Sequence, residues 1–207
     1  MKLVVGLGNP GREYLGTRHN VGYELLDALA RRLGWIGAAG EFERLARSKF
    51  DGLVLDGQVG LPGGDQKLLL LKPTTYMNLS GQSVQAAMAF YQLTPPDLLV
   101  AVDDLALPLG RLRLRAGGSH GGHKGLRDIE RALGTSQYPR LRVGIGAAPG
   151  AQPWSDYVLS PMGRQERLQF EPAVARGVDA VMAWLNEGVE AAMNRYNATL
   201  EETKNEE

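Results

Sequence analysis

Residues 2–11 read Lys-Leu-Val-Val-Gly-Leu-Gly-Asn-Pro-Gly, an apolar run that leads directly into a glycine-rich turn. A short apolar run bounded by turn residues is typical of a strand that is buried on both faces of a sheet. The turn matches the dinucleotide-binding pattern GxGxxG, but Pro10 removes one of the N–H donors that this pattern needs, and the first helix is predicted only near Asn20. Two alternatives stay open. The turn either simply closes the strand or presents the amide of Asn9 at the edge of the sheet.

The rest of the chain alternates between apolar runs and segments with helical spacing. Strands are predicted at residues 2–6, 67–72, 98–102, 111–115 and 140–147, and helices at residues 21–33, 79–91, 125–133 and 172–193. This alternation predicts a three-layer α/β/α fold around a mixed, largely parallel twisted sheet, with ligand sites at the carboxyl ends of the strands. We expect residues 1–197 to form a single domain and residues 198–207 to form an acidic tail.

The composition excludes several classes of protein. The 207 residues include no cysteine, which excludes a disulfide framework, a Cys-ligated metal site and thiol catalysis, and favours a reducing, cytoplasmic location. No apolar run approaches the roughly 18 residues of a membrane span. The net charge is zero, but residues 105–145 hold eight basic and two acidic residues, whereas residues 146–207 hold five basic and ten acidic ones. Residues 105–145 are therefore basic enough to bind a polyanionic partner, although the net charge of the whole chain is zero.

A candidate general base precedes the first predicted helix, where residues 17–20 read Thr-Arg-His-Asn. If Asn20 caps the helix, His19 lies just outside the helix N-terminus, where the helix dipole favours the neutral imidazole that a general base requires. The alternative is a histidine with a purely structural role.

Two carboxylates, Asp103 and Asp104, follow the buried strand at residues 98–102. The carboxyl end of such a strand is where an acid meets a ligand, and one carboxylate could orient a histidine as in hydrolytic triads. The alternative is that both residues only begin a turn before Pro108.

The most unusual segment is the glycine loop at residues 117–125, which reads Gly-Gly-Ser-His-Gly-Gly-His-Lys-Gly and precedes a predicted helix. Outward-facing N–H groups and a helix N-terminus favour anions there. Arginines form a stripe on one face of the preceding strand, and further cations follow in and after the loop. We expect these side chains to contact nucleic-acid phosphates. The cations are Arg111, Arg113, Arg115, Lys124, Arg127, Arg140 and Arg142. A solvated basic face is the alternative. Zinc binding by His120 and His123 is not expected, because the chain has neither Cys nor an HExxH motif.

Residues 72–81, which read Lys-Pro-Thr-Thr-Tyr-Met-Asn-Leu-Ser-Gly, follow a central strand. Asn78 and Ser80 are candidate helix caps, and Tyr76 and Met77 are either core or pocket wall. Spacing alone leaves both alternatives open.

Taken together and in order, these motifs resemble the bacterial peptidyl-tRNA hydrolase family across residues 2–150. The resemblance rests on the glycine turn with Tyr14, the Thr-Arg-His-Asn and Pro-Thr-Thr-Tyr-Met-Asn-Leu-Ser-Gly segments, Val-Asp-Asp-Leu at residues 102–105, the glycine loop and Arg-Leu-Arg-Val-Gly-Ile-Gly at residues 140–146. It implies a monomeric α/β/α enzyme that cleaves the ester between a peptide and the terminal ribose of tRNA, and so recycles tRNA. No cofactor or metal is implied.

The resemblance also assigns roles to individual residues. His19 corresponds to the catalytic base that activates water, and Asp103 to the acid that orients it. Asn9 and Asn78 correspond to the amides that hold the peptide and the attacking water, and Tyr14 and Met77 to side chains that line the cleft. The positions that correspond to tRNA contacts are Arg115, His120, Gly121 and Arg142.

One position departs from the family pattern. Lys124 stands where many members have Asn in a His-Asn-Gly sequence, and Lys donates hydrogen bonds but cannot accept them. We hypothesise that Lys124 adds a contact to a substrate phosphate. Two alternative functions are a non-catalytic RNA-binding protein of the same fold and a nucleotide-dependent oxidoreductase. The retained set of His19, Asp103, Asn9 and Asn78 argues against the first, and Pro10 against the second.

Overall fold

A seven-stranded sheet runs through the computed structural model, which describes residues 1–38 and 40–198. The strands are β1 (Lys2–Gly6), β2 (Arg47–Lys49), β3 (Gly52–Val59), β4 (Gln66–Pro73), β5 (Leu98–Asp104), β6 (Leu112–Arg115) and β7 (Arg140–Gly144). Their order is β2-β3-β4-β1-β5-β7-β6, in which β4, β1, β5 and β7 are parallel. Strands β3 and β6 are antiparallel to their neighbours, so the predicted mixed, largely parallel sheet is confirmed.

Helices cover both faces of the sheet. Within the described residues they are α1 (Val21–Arg32), α2 (Glu41–Leu45), α3 (Ser80–Tyr91), α4 (Lys124–Leu133), α5 (Trp154–Val158), α6 (Arg164–Glu187) and α7 (Val189–Tyr196). The predicted helix at residues 172–193 is in fact the end of α6 followed by α7, because Gly188 has a φ of 89° and interrupts the helical backbone. None of the described helices combines the length and the apolar character needed to cross a membrane.

Alternate side chains of the central strands enter two separate cores, as the twofold period of a strand requires. Val4 of β1 packs in the core formed with α1 and α6, whereas Leu3 and Val5 pack in the core formed with α3 and α4. The continuous apolar sequences of β1, β4 and β5 therefore follow from burial on both faces.

Several elements differ from the sequence-based predictions. Strand β7 ends at Gly144 rather than at residue 147. Ile145 still donates a hydrogen bond to Asp104 at the end of β5, but Gly146 donates to Leu107 in the loop that follows β5 and has a positive φ. The sequence did not predict β2, β3, α2 or α5. The predicted acidic tail at residues 198–207 lies outside the described residues except for Ala198.

The glycine-rich turn after β1 serves packing rather than nucleotide binding. The glycines are followed by a short 3₁₀ turn, Arg12–Tyr14, and the first α-helix begins only at Val21, ten residues beyond the turn, so no α-helix N-terminus meets the glycines. A Cβ atom on Gly6 would lie 2.1 Å from the carbonyl oxygen of Gly22, and one on Gly22 would lie 2.5 Å from that of Ala101. The two glycines let the first turn of α1 lie directly against β1 and β5. The residues just before α1 are thereby held at the carboxyl edge of the sheet.

Candidate active site

Asp103, near the carboxyl end of β5, lies between two imidazoles that come from opposite sides of the sheet. Its Oδ1 atom is 2.8 Å from Nδ1 of His19 and 3.1 Å from Nε2 of His123. His19 lies in the turn that leads into α1, and His123 lies just before α4 on the other face. Asp103 is 3% exposed and His19 is 9% exposed. The predicted pairing of His19 with Asp103 is therefore present as a buried hydrogen bond.

The turn that carries His19 is a 3₁₀ helix, Arg18–Asn20, that is fixed by polar side chains. Asn20 occupies the position before α1, but its side chain makes no capping hydrogen bond, contrary to the expectation. It instead accepts a hydrogen bond from the N–H of Asn9 at 2.8 Å and donates one to the carbonyl of Asn9 at 3.0 Å. This reciprocal pair joins the turn of His19 to the glycine-rich turn after β1.

The protonation of His19 is set by Asp103 rather than by the helix dipole. Burial lowers the pKa of His19 most strongly, but the charge of Asp103 and its hydrogen bond together outweigh burial, so the pKa is raised above 6.5. The charge of Lys124 acts in the opposite direction. Nδ1 of His19 faces a buried carboxylate, which opposes the expected effect of the dipole on the imidazole.

Asp103 stays ionised although it is buried. Burial raises the pKa of Asp103, but the charges of the two histidines and their hydrogen bonds hold it well below the ordinary value of 3.8. An ionised carboxylate accepts hydrogen bonds only, so each imidazole must present an N–H to it.

His123 is the part of this cluster that the sequence did not predict as functional. Its Nδ1 atom accepts a hydrogen bond from the N–H of Leu126 at 3.3 Å and so caps α4. In a neutral imidazole the proton then lies on Nε2 and points to Asp103. His19, Asp103 and His123 offer three ligand atoms within 4.8 Å of one another, but a metal at Nε2 of His123 would place the proton on Nδ1, against the N–H of Leu126. This donor set favours a hydrogen-bonded cluster over a metal centre.

The amide of Asn9 is oriented by the main chain of Met77. The N–H of Met77 donates to Oδ1 of Asn9 at 2.9 Å, which leaves the NH₂ group of Asn9 as the end that is free to bind a ligand. Asn78 is exposed and does not cap α3, which begins at Ser80 after the 3₁₀ turn Met77–Leu79. Both amides contribute to the same cleft as His19. The interpretation that the turn after β1 presents Asn9 at the sheet edge is the one that the structure supports.

A cleft of about 850 Å³ opens beside the Asp103 cluster. Its lining includes the following predicted site residues: Asn9, His19, Met77, Asn78, Asp103, Gly121, Lys124 and Arg142. Tyr14, His120 and Arg115 are not among the lining residues, and their roles stay predictions. Met77 is buried, and it belongs both to the cleft lining and to the core. Its side chain packs so closely on Gly125 that a Cβ atom added there would lie 2.6 Å from the Met77 sulfur.

The two consecutive aspartates have different tasks. Asp104 accepts a hydrogen bond from the N–H of Ala106 at 2.8 Å and pairs with Arg142 at 3.1 Å. It therefore begins a turn, as the alternative interpretation of residues 103–104 proposed, while Asp103 faces the histidines. Arg142 is also bonded to the carbonyl of Ser119 at 2.8 Å, which ties the glycine loop to β7.

The arginines near the glycine loop divide into structural and exposed groups. Arg140 is 1% exposed, donates to the carbonyls of Gly118 and Ser136, and pairs with Glu130, so it holds the loop and is not available to a phosphate. Its proposed contact with nucleic acid is wrong for that reason. Among the cations predicted to contact phosphates, the exposed ones that form no ion pair within the described residues are Arg113, Arg115, Lys124 and Arg127.

The glycine loop itself is shaped around Arg142. Gly121 has a φ of 59°, and a Cβ atom there would lie 3.2 Å from Nη1 of Arg142. His120 accepts a hydrogen bond from the N–H of Gly122 at 3.0 Å, which stabilises the turn.

The outer wall of the cleft is an apolar surface that the sequence did not predict. It comes from α5 and the residues around it, namely Ala147, Ala148, Trp154, Val158 and Leu159. Trp154 is 73% exposed. Five residues are too short a segment for a helical pattern to be recognised in the sequence.

Comparisons with known proteins point to one family. Residues 3–206 match the family model described as peptidyl-tRNA hydrolase. Peptidyl-tRNA hydrolases of Rhodopirellula baltica and Symbiobacterium thermophilum are each 49% identical to the chain, over 96% and 95% of the chain respectively and 98% of each relative. The crystal structure of peptidyl-tRNA hydrolase from Acinetobacter baumannii superposes with a TM-score of 0.84 at 38% identity, covering 96% of this chain and 95% of that one.

Proposed function

Because the chain belongs to the peptidyl-tRNA hydrolase family and is a carboxylic ester hydrolase acting on peptidyl-tRNA, we propose that His19 is its general base and Asp103 the residue that orients it. The observation that carries this proposal is the buried hydrogen bond from Nδ1 of His19 to Oδ1 of Asp103 at 2.8 Å. It leaves Nε2 of His19 as the nitrogen that can accept a proton from water in the cleft.

The chemistry then proceeds in two steps. Nε2 of His19 takes a proton from a water molecule while the water oxygen attacks the carbonyl carbon of the ester, which gives a tetrahedral intermediate. The imidazolium returns a proton to the departing ribose oxygen, so that free tRNA and a peptide carboxylic acid result. Asp103 stabilises the imidazolium between the steps by its charge, and the second imidazole, His123, holds Asp103 in place.

Asn9 and Asn78 are the proposed peptide-binding amides. The NH₂ group of Asn9 is fixed by Met77 and suits a carbonyl oxygen of the peptide. Asn78 is exposed, and its side chain forms no hydrogen bond with the described part of the chain, so it offers both a donor and an acceptor. Groups of this kind bind a peptide bond but offer no carboxylate to a free α-ammonium group. A preference for N-blocked aminoacyl groups is expected for that reason. Tyr14 is proposed to act beside them.

The tRNA is proposed to lie along the basic side of the cleft. Four positions carry this part of the proposal: Arg115, His120, Gly121 and Arg142. Lys124 lines the cleft without an ion pair among the described residues, which supports its proposed contact with a substrate phosphate. Arg142 already shares its charge with Asp104, so we expect a weaker contribution from it than from Lys124.

A monomer that acts in the cytoplasm is the proposed form. The absence of cysteine supports a reducing compartment, and light scattering of the purified protein measures the oligomeric state.

The experiment follows release of tRNA from N-acetyl-aminoacyl-tRNA and from free aminoacyl-tRNA, with the wild type and with His19→Ala. We expect faster cleavage of the N-blocked substrate and a loss of about 10²- to 10⁴-fold in rate for the variant. Undiminished activity of His19→Ala would overturn the proposed mechanism.

A further inference from the structure

Arg18, the residue before His19, is buried and makes its contacts away from the cleft. Its side chain is 6% exposed. Nη1 lies 2.7 Å from the hydroxyl of Ser160 and 3.1 Å from the carbonyl oxygens of both Ser160 and Pro161, and Nη2 lies 2.5 Å from Glu166. The guanidinium also stacks 4.1 Å from the ring centre of Tyr157. One side chain therefore contacts α5, the start of α6 and the segment between them.

The segment that Arg18 holds carries the apolar wall of the cleft. Within α5, Tyr157 is the buried residue, and its hydroxyl donates to the carbonyl of Ile145 at 2.8 Å. Trp154 and Val158 of the same helix line the cleft, as do Gly121 and Gly122 of the glycine loop. Because no other residue of α5 is buried, the stacking of Arg18 on Tyr157 is a main attachment of this wall.

The backbone of Arg18 is equally tied to the catalytic turn. Its N–H donates to the carbonyl of Ser160 at 3.2 Å, and Thr17 forms a β-bridge with Pro161. The next two residues are His19, which pairs with Asp103, and Asn20, which pairs with Asn9. A displacement of Arg18 therefore displaces both the proposed base and the wall.

We propose that Arg18 is a positioning residue that keeps His19 and the α5 wall in one fixed geometry for catalysis. The inference rests on the proposed role of His19 as the general base. A guanidinium suits the task because its planar fork donates to several acceptors at once while its face stacks on an aromatic ring. A lysine keeps the charge but cannot make both sets of contacts.

The test compares Arg18→Lys with a matched control, Arg167→Lys. Arg167 bonds to Glu24 at 2.6 and 3.0 Å and to the carbonyl of Gly16 at 2.6 Å, so it also joins α6 to the loop before the catalytic turn. It has no polar contact with α5 or with residues 160–161. The measurements are kcat, KM and the pH profile of kcat/KM on N-acetyl-aminoacyl-tRNA, well below the melting temperature of each variant.

For Arg18→Lys we expect kcat to fall about tenfold to 100-fold, since small misplacements of a catalytic group have effects of this size. We also expect KM to rise and the acid midpoint of the profile to move to lower pH, because His19 is held less closely against Asp103. Arg167→Lys is expected to change kcat and KM less than about threefold.

Three results would overturn the proposal: wild-type kinetics for Arg18→Lys, a loss of kcat without a shift of the midpoint, or an equal loss for Arg167→Lys. If Arg18→Lys does not fold, Tyr157→Leu decides, with an expected loss of at least fivefold in kcat/KM and unchanged kinetics as the contrary result. His19→Ala distinguishes a failure of the proposed function from a failure of the proposed role of Arg18. If it stays active, the proposed function fails, and if it is inactive while Arg18→Lys is normal, only the role of Arg18 fails.

Discussion

Nδ1 of His19 and Oδ1 of Asp103 lie 2.8 Å apart in a buried hydrogen bond at the carboxyl end of β5. The carboxylate is ionised and accepts the Nδ1 proton, which fixes the tautomer of His19 and directs Nε2 to the cleft. Orientation, tautomer and pKa of the proposed base therefore all depend on one carboxylate.

Replacing Asp103 with Asn is expected to lower kcat about 100-fold or more, because the amide does not hold the required tautomer or stabilise an imidazolium. The charge of Asp103 is what raises the pKa of His19, so burial and Lys124 prevail in the variant and the pKa falls below 6.5. The active form is the neutral imidazole. Activity is lost as pH falls through this pKa, and the acid limb of the variant should therefore lie at lower pH than that of the wild type. A pH profile of kcat/KM with an unmoved acid limb would contradict this role of Asp103.

Replacing His123 with Ala should affect both stability and rate. The helix cap on Leu126 is lost, with an expected decrease of about 1 kcal/mol in the free energy of unfolding, and Asp103 loses one of its two donors. His123→Asn is the matched variant, because Asn is a good cap but is too short to replace Nε2 at Asp103. We expect denaturant unfolding to show recovered stability for His123→Asn while its kcat stays as low as that of His123→Ala. Recovery of both properties would show that His123 acts only as a cap.

Replacing Lys124 with Ala should weaken tRNA binding and flatten the dependence of log Kd on log salt by about 0.7 to 0.9, the contribution of one phosphate contact. The acid limb of the rate should move to higher pH, because the charge of Lys124 lowers the pKa of His19. Arg131→Ala is the control, since Arg131 lies on the same helix but pairs with Asp128. Unchanged affinity with collapsed turnover would exclude the phosphate contact.

Replacing Gly6 with Ala should destabilise the fold by about 1–3 kcal/mol, because the added Cβ atom meets the carbonyl of Gly22 at 2.1 Å. The shift of α1 away from β1 should also lower activity, since α1 follows the turn of His19. Gly63→Ala is the control, because a Cβ atom there has no heavy atom within 4 Å. Equal denaturation midpoints for the two variants would show that the close approach of α1 to β1 does not contribute to the stability of the fold.

Sequence patterns predicted the elements whose burial is uniform. β1 and β5 are continuous apolar runs because both faces are covered, and α1 has a clear apolar stripe. β3 was missed because Gly52, Asp56 and Gly57 interrupt its apolar pattern, and because neither of its faces is uniformly buried or exposed.

The candidate site was predicted where chain position alone is informative. Asp103 lies near the carboxyl end of a buried strand and His19 precedes a helix, so the topology brings both to the same edge of the sheet. The role of His123 depends on a loop 20 residues away that only the folded chain brings to Asp103. Arg140 and Arg142 share a face by spacing, yet only the fold buries Arg140 beneath the glycine loop.

The most direct test of the central claim measures the single-turnover rate of N-acetyl-aminoacyl-tRNA hydrolysis against pH, for the wild type and for His19→Ala in parallel. The wild-type rate should rise with pH through a midpoint above 6.5, the ordinary pKa of histidine, and then level off. His19→Ala should be slower by about 10²- to 10⁴-fold and lack that midpoint. If His19→Ala kept both the wild-type rate and its midpoint, His19 would not be the base.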